Sequence, residues 1–392
     1  MEPSIAPRGR GGNTSLSFAW AWRRCVAAGL PTLFFVGALG LVVAAPAASA
    51  GATTTYAYAA GRAVSPTSCP QTAATSQQCT LATAVSLAKA GGTVALATPG
   101  KTGHYVGNWS IATSGTSSSA PLTIKPVPGV IKPVLDGNHG KPAGCQTKAC
   151  NGRVLTIGSG VHLDIYGLTV QDADNTLSPF GGAVQNNGGT LSVSACTFSR
   201  DTAKDGGAIG NAGLVATGTV TVSGSTFTAN TATGSAGGVY DGGAIDNNGT
   251  GTLAVSGSTF SANTAKDGGG TINNFNSVWA AADIFNGGCH EAAGATWKDE
   301  GYNVGADAAC LSAGTGDASH GAGHLGPLAH NGGPTETMLA LAANPALGAV
   351  PLNTTVKLNG RSVTLCPTID QRGVHSAAGK ACNAGAVQSA EP

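Results

Sequence analysis

Three lines of sequence can be laid over one another: LSVSACTFSRDTAKDGGAI from Leu191, VTVSGSTFTANTATGSAGGVYDGGAI from Val220, and LAVSGSTFSANTAKDGGGTI from Leu253. A fainter copy, LDIYGLTVQDADN, starts at Leu163 and runs on to GGAV at Gly181. The starts are 28, 29 and 33 residues apart, the growth being taken up by an insertion around Gly234 to Tyr240. A period of this length without helical spacing is that of a solenoid, in which one coil cannot bury its own apolar face. Within a copy the apolar residues alternate. Val220, Val222 and Phe227 share one side, as do Leu253, Val255 and Phe260, while Thr221, Ser223 and Thr226 take the other. That is strand periodicity. Stacked coils put Phe198, Phe227 and Phe260 in one inner column and Ile209, Ile245 and Ile272 in another. The fold class this predicts is all-β, a single-stranded right-handed parallel β-helix.

Two corners carry further columns. Asp201, Asn230 and Asn263 fall at one, Asn186, Asn211 and Asn247 at the other. Asn tolerates a left-handed backbone and can bond its amide to the next coil, so both are expected turn positions. Gly pairs before each Ala-Ile or Ala-Val predict tight bends. Composition agrees: 60 Gly in 392 residues and 10% charged residues, with 42% apolar residues in strict pattern, describe a packed chain. Net charge is +1, and removing residues 1–50 leaves 16 basic and 18 acidic groups, which is no nucleic-acid footprint.

Arg8, Arg10, Arg23 and Arg24 precede an apolar run from Cys25 to Ala45 that closes on Ala48-Ser49-Ala50. This predicts a secretory signal over 1–50, with an N-terminal membrane anchor as the alternative. Beyond it, 51–92 reads as an N-terminal segment with a capping helix at Leu81 to Ala90, 93–286 as the β-helix, and 287–392 as an irregular C-terminal cap. Nine Cys remain after the signal. Eight fall into near pairs, Cys69 with Cys79, Cys145 with Cys150, Cys289 with Cys310 and Cys366 with Cys382, which in an exported chain predicts disulfides. Cys196 is left over and aligns with Ser225 and Ser258 beside the Phe column, so a buried, inert thiol is expected.

GGAV at 181, GGAI at 206 and 242, FTAN at 227 and FSAN at 260 alternate in register, with FSRD at 198 departing at its last position. In these motifs the chain resembles the chlamydial-type polymorphic outer-membrane protein repeat. Its tail carries Gly301-Tyr302-Asn303 between two Cys, Pro327-Leu328-Ala329 followed by Asn331-Gly332-Gly333-Pro334-Thr335, Asn344-Pro345-Ala346, and Asp370-Gln371-Arg372-Gly373. It is similar there to bacterial secreted β-helix proteins of the choice-of-anchor Q type. The resemblance implies export and a β-helix, and brings no established catalytic residue.

Asp205, Asp241 and Asp267 stand immediately before their Gly pairs and are expected to stack on one edge, with Lys204 and Lys266 beside them. At a coil spacing of roughly 4.8 Å such carboxylates could serve a glycosidase or a pectate-lyase-like enzyme. The alternative is a solvated turn in which Lys neutralises Asp. No cofactor is expected, although Asp172, Asp174 and Asn175 offer oxygens for Ca²⁺ without EF-hand spacing. His320, His324 and His330 with Glu336 read as plain loop, giving no metal site. Trp109, Trp279 and Trp297 are too scattered to define a sugar groove, and the outward Thr197, Thr226 and Thr259 column makes only a small ice- or mineral-binding array. The leading expectation is a secreted or cell-surface, non-catalytic β-helix contacting an extracellular glycan, matrix or surface component. The alternative is a polysaccharide lyase or glycoside hydrolase. Neither nucleic acid nor, after signal cleavage, membrane is an expected partner.

Overall fold

The computed structural model describes residues 53–59, 69, 79–97, 103–137, 152–213, 217–234 and 241–388. The chain winds as a parallel β-helix with three walls. The first has nine strands, from Thr54–Tyr58 through His162–Tyr166, Thr190–Ser194, Thr219–Ser223 and Thr252–Ser256 to Thr296–Asp299. The second also has nine, including Thr197–Ser199, Thr226–Thr228 and Thr259–Ser261, and ends at Ala318–Ser319. The third has seven, including Ile209–Gly213, Ile245–Gly249, Ile272–Asn274 and His290–Glu291. A ribbon of four short strands, Asp174–Phe180, Thr202–Asp205, Thr231–Ala232 and Thr264–Ala265, sits between the second and third walls along the chain. Parallel pairing thus begins before residue 93 and continues past 286, because the segments around His290, Trp297 and Val304 still alternate well enough to add to the stack.

The register is the one the repeats dictate. Thr190, Thr219 and Thr252 pair in line, and Leu191, Val220 and Leu253 follow inside. Phe198, Phe227 and Phe260 stack with ring centroids 4.8 and 4.9 Å apart, and Phe285 extends the column at 5.4 Å. All four rings are fully buried. At the other corner Asn186 donates to Asn211, Asn211 to Asn247 and Asn247 to Asn274, each at 2.8–2.9 Å. Each amide therefore satisfies the next one's carbonyl where water cannot reach.

The corner at Asp201, Asn230 and Asn263 works differently from the expectation. The left-handed residues are the ones before, Arg200, Ala229 and Ala262, with φ of 54–58°. The Asn carbonyl instead accepts the backbone N–H of the preceding coil's corner residue, Asn230 from Asp201 at 3.0 Å and Asn263 from Asn230 at 3.1 Å. Those bonds offset the cost of holding an L-residue left-handed. The second Gly of each pair also has a sharper role than bending. A Cβ on Gly182, Gly207 or Gly243 would land on the carbonyl oxygen of Gly207, Gly243 or Gly270 in the next coil, so only glycine lets the coils close up.

The N-terminal end is covered by a helix, Leu81–Leu87, capped by Thr80 and burying Leu81, Ala84 and Val85. It stops short of Ala90 because Ala88 turns extended, its N–H already bonded to Ala84 and Val85. Cys69–Cys79, Cys289–Cys310 and Cys366–Cys382 are bonded. The Cys145 and Cys150 pair and the 1–50 segment lie outside the described residues.

Residues 325–388 do not simply close the C-terminal end. They run back along the second wall. Lys132 donates its N–H to Pro334 and pairs with Glu336 at 2.9 Å. Thr197 bonds Glu336 O at 2.6 Å, Thr226 bonds Gln371 at 2.7 Å, and Thr259 accepts from Ala386 at 3.0 Å. The Thr column expected to face water is therefore buried beneath this strap, and its hydroxyls hold the strap down. The antiparallel hairpin Thr355–Leu358 with Arg361–Thr364 packs with Ala254 and Trp279 at the lower end of the first wall, adding a second small core around Val350, Leu358 and Leu365.

Cys196 is free and has no solvent contact. Its Sγ donates to Ser194 O at 3.2 Å, and burial pushes the thiol up to about 12. Alkylation at pH 8 should thus be slow in the folded protein and fast in denaturant, with four intrachain disulfides by non-reducing mass mapping. Equal rates in the two conditions, or Cys196 in a disulfide, would contradict this packing.

Candidate functional site

The sharp reversal between the four-stranded ribbon and the third wall brings the acidic column together. Asp205 and Asp241 are buried, while the Asp267 side chain is 38% exposed. The point where a Cβ on Gly234 would sit lies 3.0 Å from Asp267 Oδ2 and 3.1 Å from Asp241 Oδ2. Lys266 approaches Asp267 at 4.0 Å on the surface, a contact worth little in water. Lys204 is half-buried on the same ribbon, one residue before Asp205.

Asp241 differs from a solvated turn residue. Among the described residues neither of its oxygens meets an N–H or O–H donor, and it has no solvent contact. Burial holds its carboxyl well above the usual range, and the adjacent carboxyl of Asp205 and the charges of Asp246 and Asp267 push the same way. Two carboxylates repel, but a carboxylic acid can donate to a carboxylate, so this environment favours the protonated form of Asp241 beside Asp205.

Asp246 belongs to this cluster and was missed in the sequence. It follows Ile245 on the third wall and is fully buried. Asn273 donates to it at 2.7 Å, and the Asn273 carbonyl meets His290 Nδ1 at 2.8 Å. Burial raises Asp246 to about 7 against the Asn273 bond, and burial lowers His290. The signal lay in the slot after each Ile, which reads Gly210, Asp246 and Asn273 in successive coils and is one register position. The outcome is a hydrogen-bonded line from His290 through Asn273 to Asp246, with Asp241 closed to solvent and the charges of Asp205 and Asp246 acting on one another through space.

A group whose folded pKa is raised gives stability fully present below the unfolded carboxylate value, near 4, and lost as pH rises through the folded value. For Asp241 and Asp246 that window runs from about pH 4 to pH 7 and above. The protein should melt several degrees higher at pH 5 than at pH 8.5, by about 2–4 °C per kcal/mol. Asp241→Asn, which can donate to Asp205 at any pH, should flatten the slope. An unchanged slope in the variant would contradict a protonated Asp241.

The other sequence candidates are not brought together. Asp172 is held by Arg200 at 2.8 and 2.9 Å, and the Asn175 amide donates to Phe180 and Gly181, so these groups do not converge as a Ca²⁺ cage. Among the described residues no group of three or more His, Cys, Asp or Glu could hold a metal ion. Glu336 is paired with Lys132 at 2.9 Å. Trp297 turns inward, edge-on to Phe285 at 6.2 Å, Trp109 is buried, and Trp279 lies 5.4 Å from Lys298 Nζ.

A polar surface lies on the outward face of the first wall. Thr190, Ser192 and Ser194 register with Thr219, Thr221 and Ser223, and all six are partly exposed. Thr219 and Thr252 bond at 3.2 Å, and Ser194 and Ser223 at 2.9 Å. No helix among the described residues is long and apolar enough to cross a membrane. Comparison with family models, with curated proteins and with solved structures finds no match for this chain.

Proposed function

We propose that this is an exported or cell-surface β-helix that binds extracellular glycan or matrix through its first wall without turning it over. The observation that supports this best is the in-register hydroxyl face from Thr190 to Ser223, six partly exposed hydroxyls on two coils, bordered on the preceding coil by His162 and Asp164. Hydroxyls in register on neighbouring coils suit several weak contacts to a repeating polymer. The three disulfides among the described residues, and the resemblance of the tail to secreted β-helix proteins, agree with an oxidising, external location. Lyase or hydrolase action is the second reading, favoured by the raised carboxyl of Asp241; against it stands the burial of Asp205 and Asp241.

A glycan array run beside reducing-sugar and unsaturated-product assays separates the two. Capture without product is expected. Product from any glycan, lost in Asp241→Asn at unchanged melting temperature, would make the protein an enzyme.

A further inference from the structure

Where the strap lies against the corner of the first wall it leaves a groove. One stretch, about 210 Å³, runs between Ser194, Ser223 and Ser256 on the coils and Leu365 to Gln371 on the strap. A second, about 610 Å³, runs between Pro126 to Ile131 and Pro334. Tyr166 lines both, and at 43% exposure it is one of the few large side chains the fold leaves open. The groove floor is bare: a Cβ added at Gly224 would meet nothing within 4 Å, and at Gly257 only Gly385 O at 3.9 Å.

Backbone groups on this floor are already used between coils. Gly167 donates to Ser194 and Gly224 to Ser256, both at 3.0 Å. An extended peptide would therefore find no free strand edge to pair with. Charge is also absent from the first stretch, since Asp370 is taken up by Arg372 through Nε at 2.8 Å and Nη2 at 2.6 Å. What remains is an exposed aromatic face, proline edges and a row of hydroxyls repeating with the coils. That combination matches a chain that is apolar on its ring faces and hydroxylated at its rims.

We infer that the seam at Tyr166 binds a single chain of a neutral, β-linked glycan, an inference that rests on the glycan-contact reading above. The sugar ring stacks on Tyr166 and its neighbours run along Ser194, Ser223 and Ser256. Only the second stretch brings a cation, Lys125, to the lining.

The test is calorimetric titration of the mature protein with tetra- to hexasaccharides of β-linked glucose, mannose and xylose, with uronic-acid oligosaccharides and a proline-rich peptide as competitors. At least one neutral series should bind and gain affinity with length. Tyr166→Ala should weaken it tenfold or more at unchanged melting temperature, and Ser223→Phe, which fills the bare floor beside Gly224, should remove it. Retained oligosaccharide affinity in both variants overturns the groove while leaving the wall reading intact. Failure of the unaltered protein to capture any glycan overturns both. Tighter binding of the uronate or of the peptide, lost in Tyr166→Ala, overturns the assigned ligand class.

Discussion

Phe227→Ala is expected to cost about 3–5 kcal/mol in a denaturant melt, the largest single effect in the core. The ring has no solvent contact and lies between Phe198 and Phe260, tilted by only 1° and 12° from them. Its removal opens a cavity on the coil axis and breaks two ring contacts, each worth about 0.5–1.5 kcal/mol beyond burial. Thr226, the adjacent outward residue, is the internal control. Its hydroxyl bonds Gln371 under the strap, so Thr226→Ala should cost about 1–2 kcal/mol rather than the near-zero of an exposed threonine. A loss at Phe227 no larger than that at Thr226 would contradict the register.

Gln371→Ala should be nearly as costly, about 2–4 kcal/mol, from a residue outside the repeats. Gln371 is 2% exposed. Its amide nitrogen donates to Cys196 O at 3.0 Å, Thr197 Oγ1 at 2.9 Å and Thr335 Oγ1 at 3.0 Å, and its carbonyl accepts from Thr226. Truncation leaves several buried polar groups without partners, and those are expensive. The neighbouring residues are built to present it: Asp370 accepts from the backbone of Arg372, Val374 and Gln388, fixing the turn. Protease should then cut the strap of the variant while the coils resist. A variant as stable and as protease-resistant as the parent would show that the strap is held elsewhere.

The difference between these two residues explains how much could be read from the chain. Phe227 belongs to a pattern that repeats three times, so its partners are at fixed offsets and its column is legible. Asn211 and Asn247 were legible for the same reason. Gln371 meets Thr197 across 174 residues, and nothing periodic marks such a contact. A threonine on the outer face of a strand reads as solvent-facing until something covers it, and what covers Thr197, Thr226 and Thr259 is an irregular segment. The acidic column fell between these cases. Its alignment followed from the repeats, but its burial, and the joining of Asp246 and His290, depended on how tightly the glycine pairs let the coils approach.

The proposal that the hydroxyl wall binds, and that the acidic column of Asp205, Asp241 and Asp267 does no chemistry, is tested most directly on whichever polysaccharide the array selects. Capture of that polymer is measured for the parent, for Thr190→Lys with Thr221→Lys on the wall, and for Asp241→Asn in the acidic column, with product assayed in the same wells. Both threonines are partly exposed and outward, so the wall variant should fold normally. The expected result is at least tenfold weaker capture by the wall variant, parental capture by Asp241→Asn, and no product anywhere. Parental capture by the wall variant, together with product that vanishes in Asp241→Asn, would contradict the proposal.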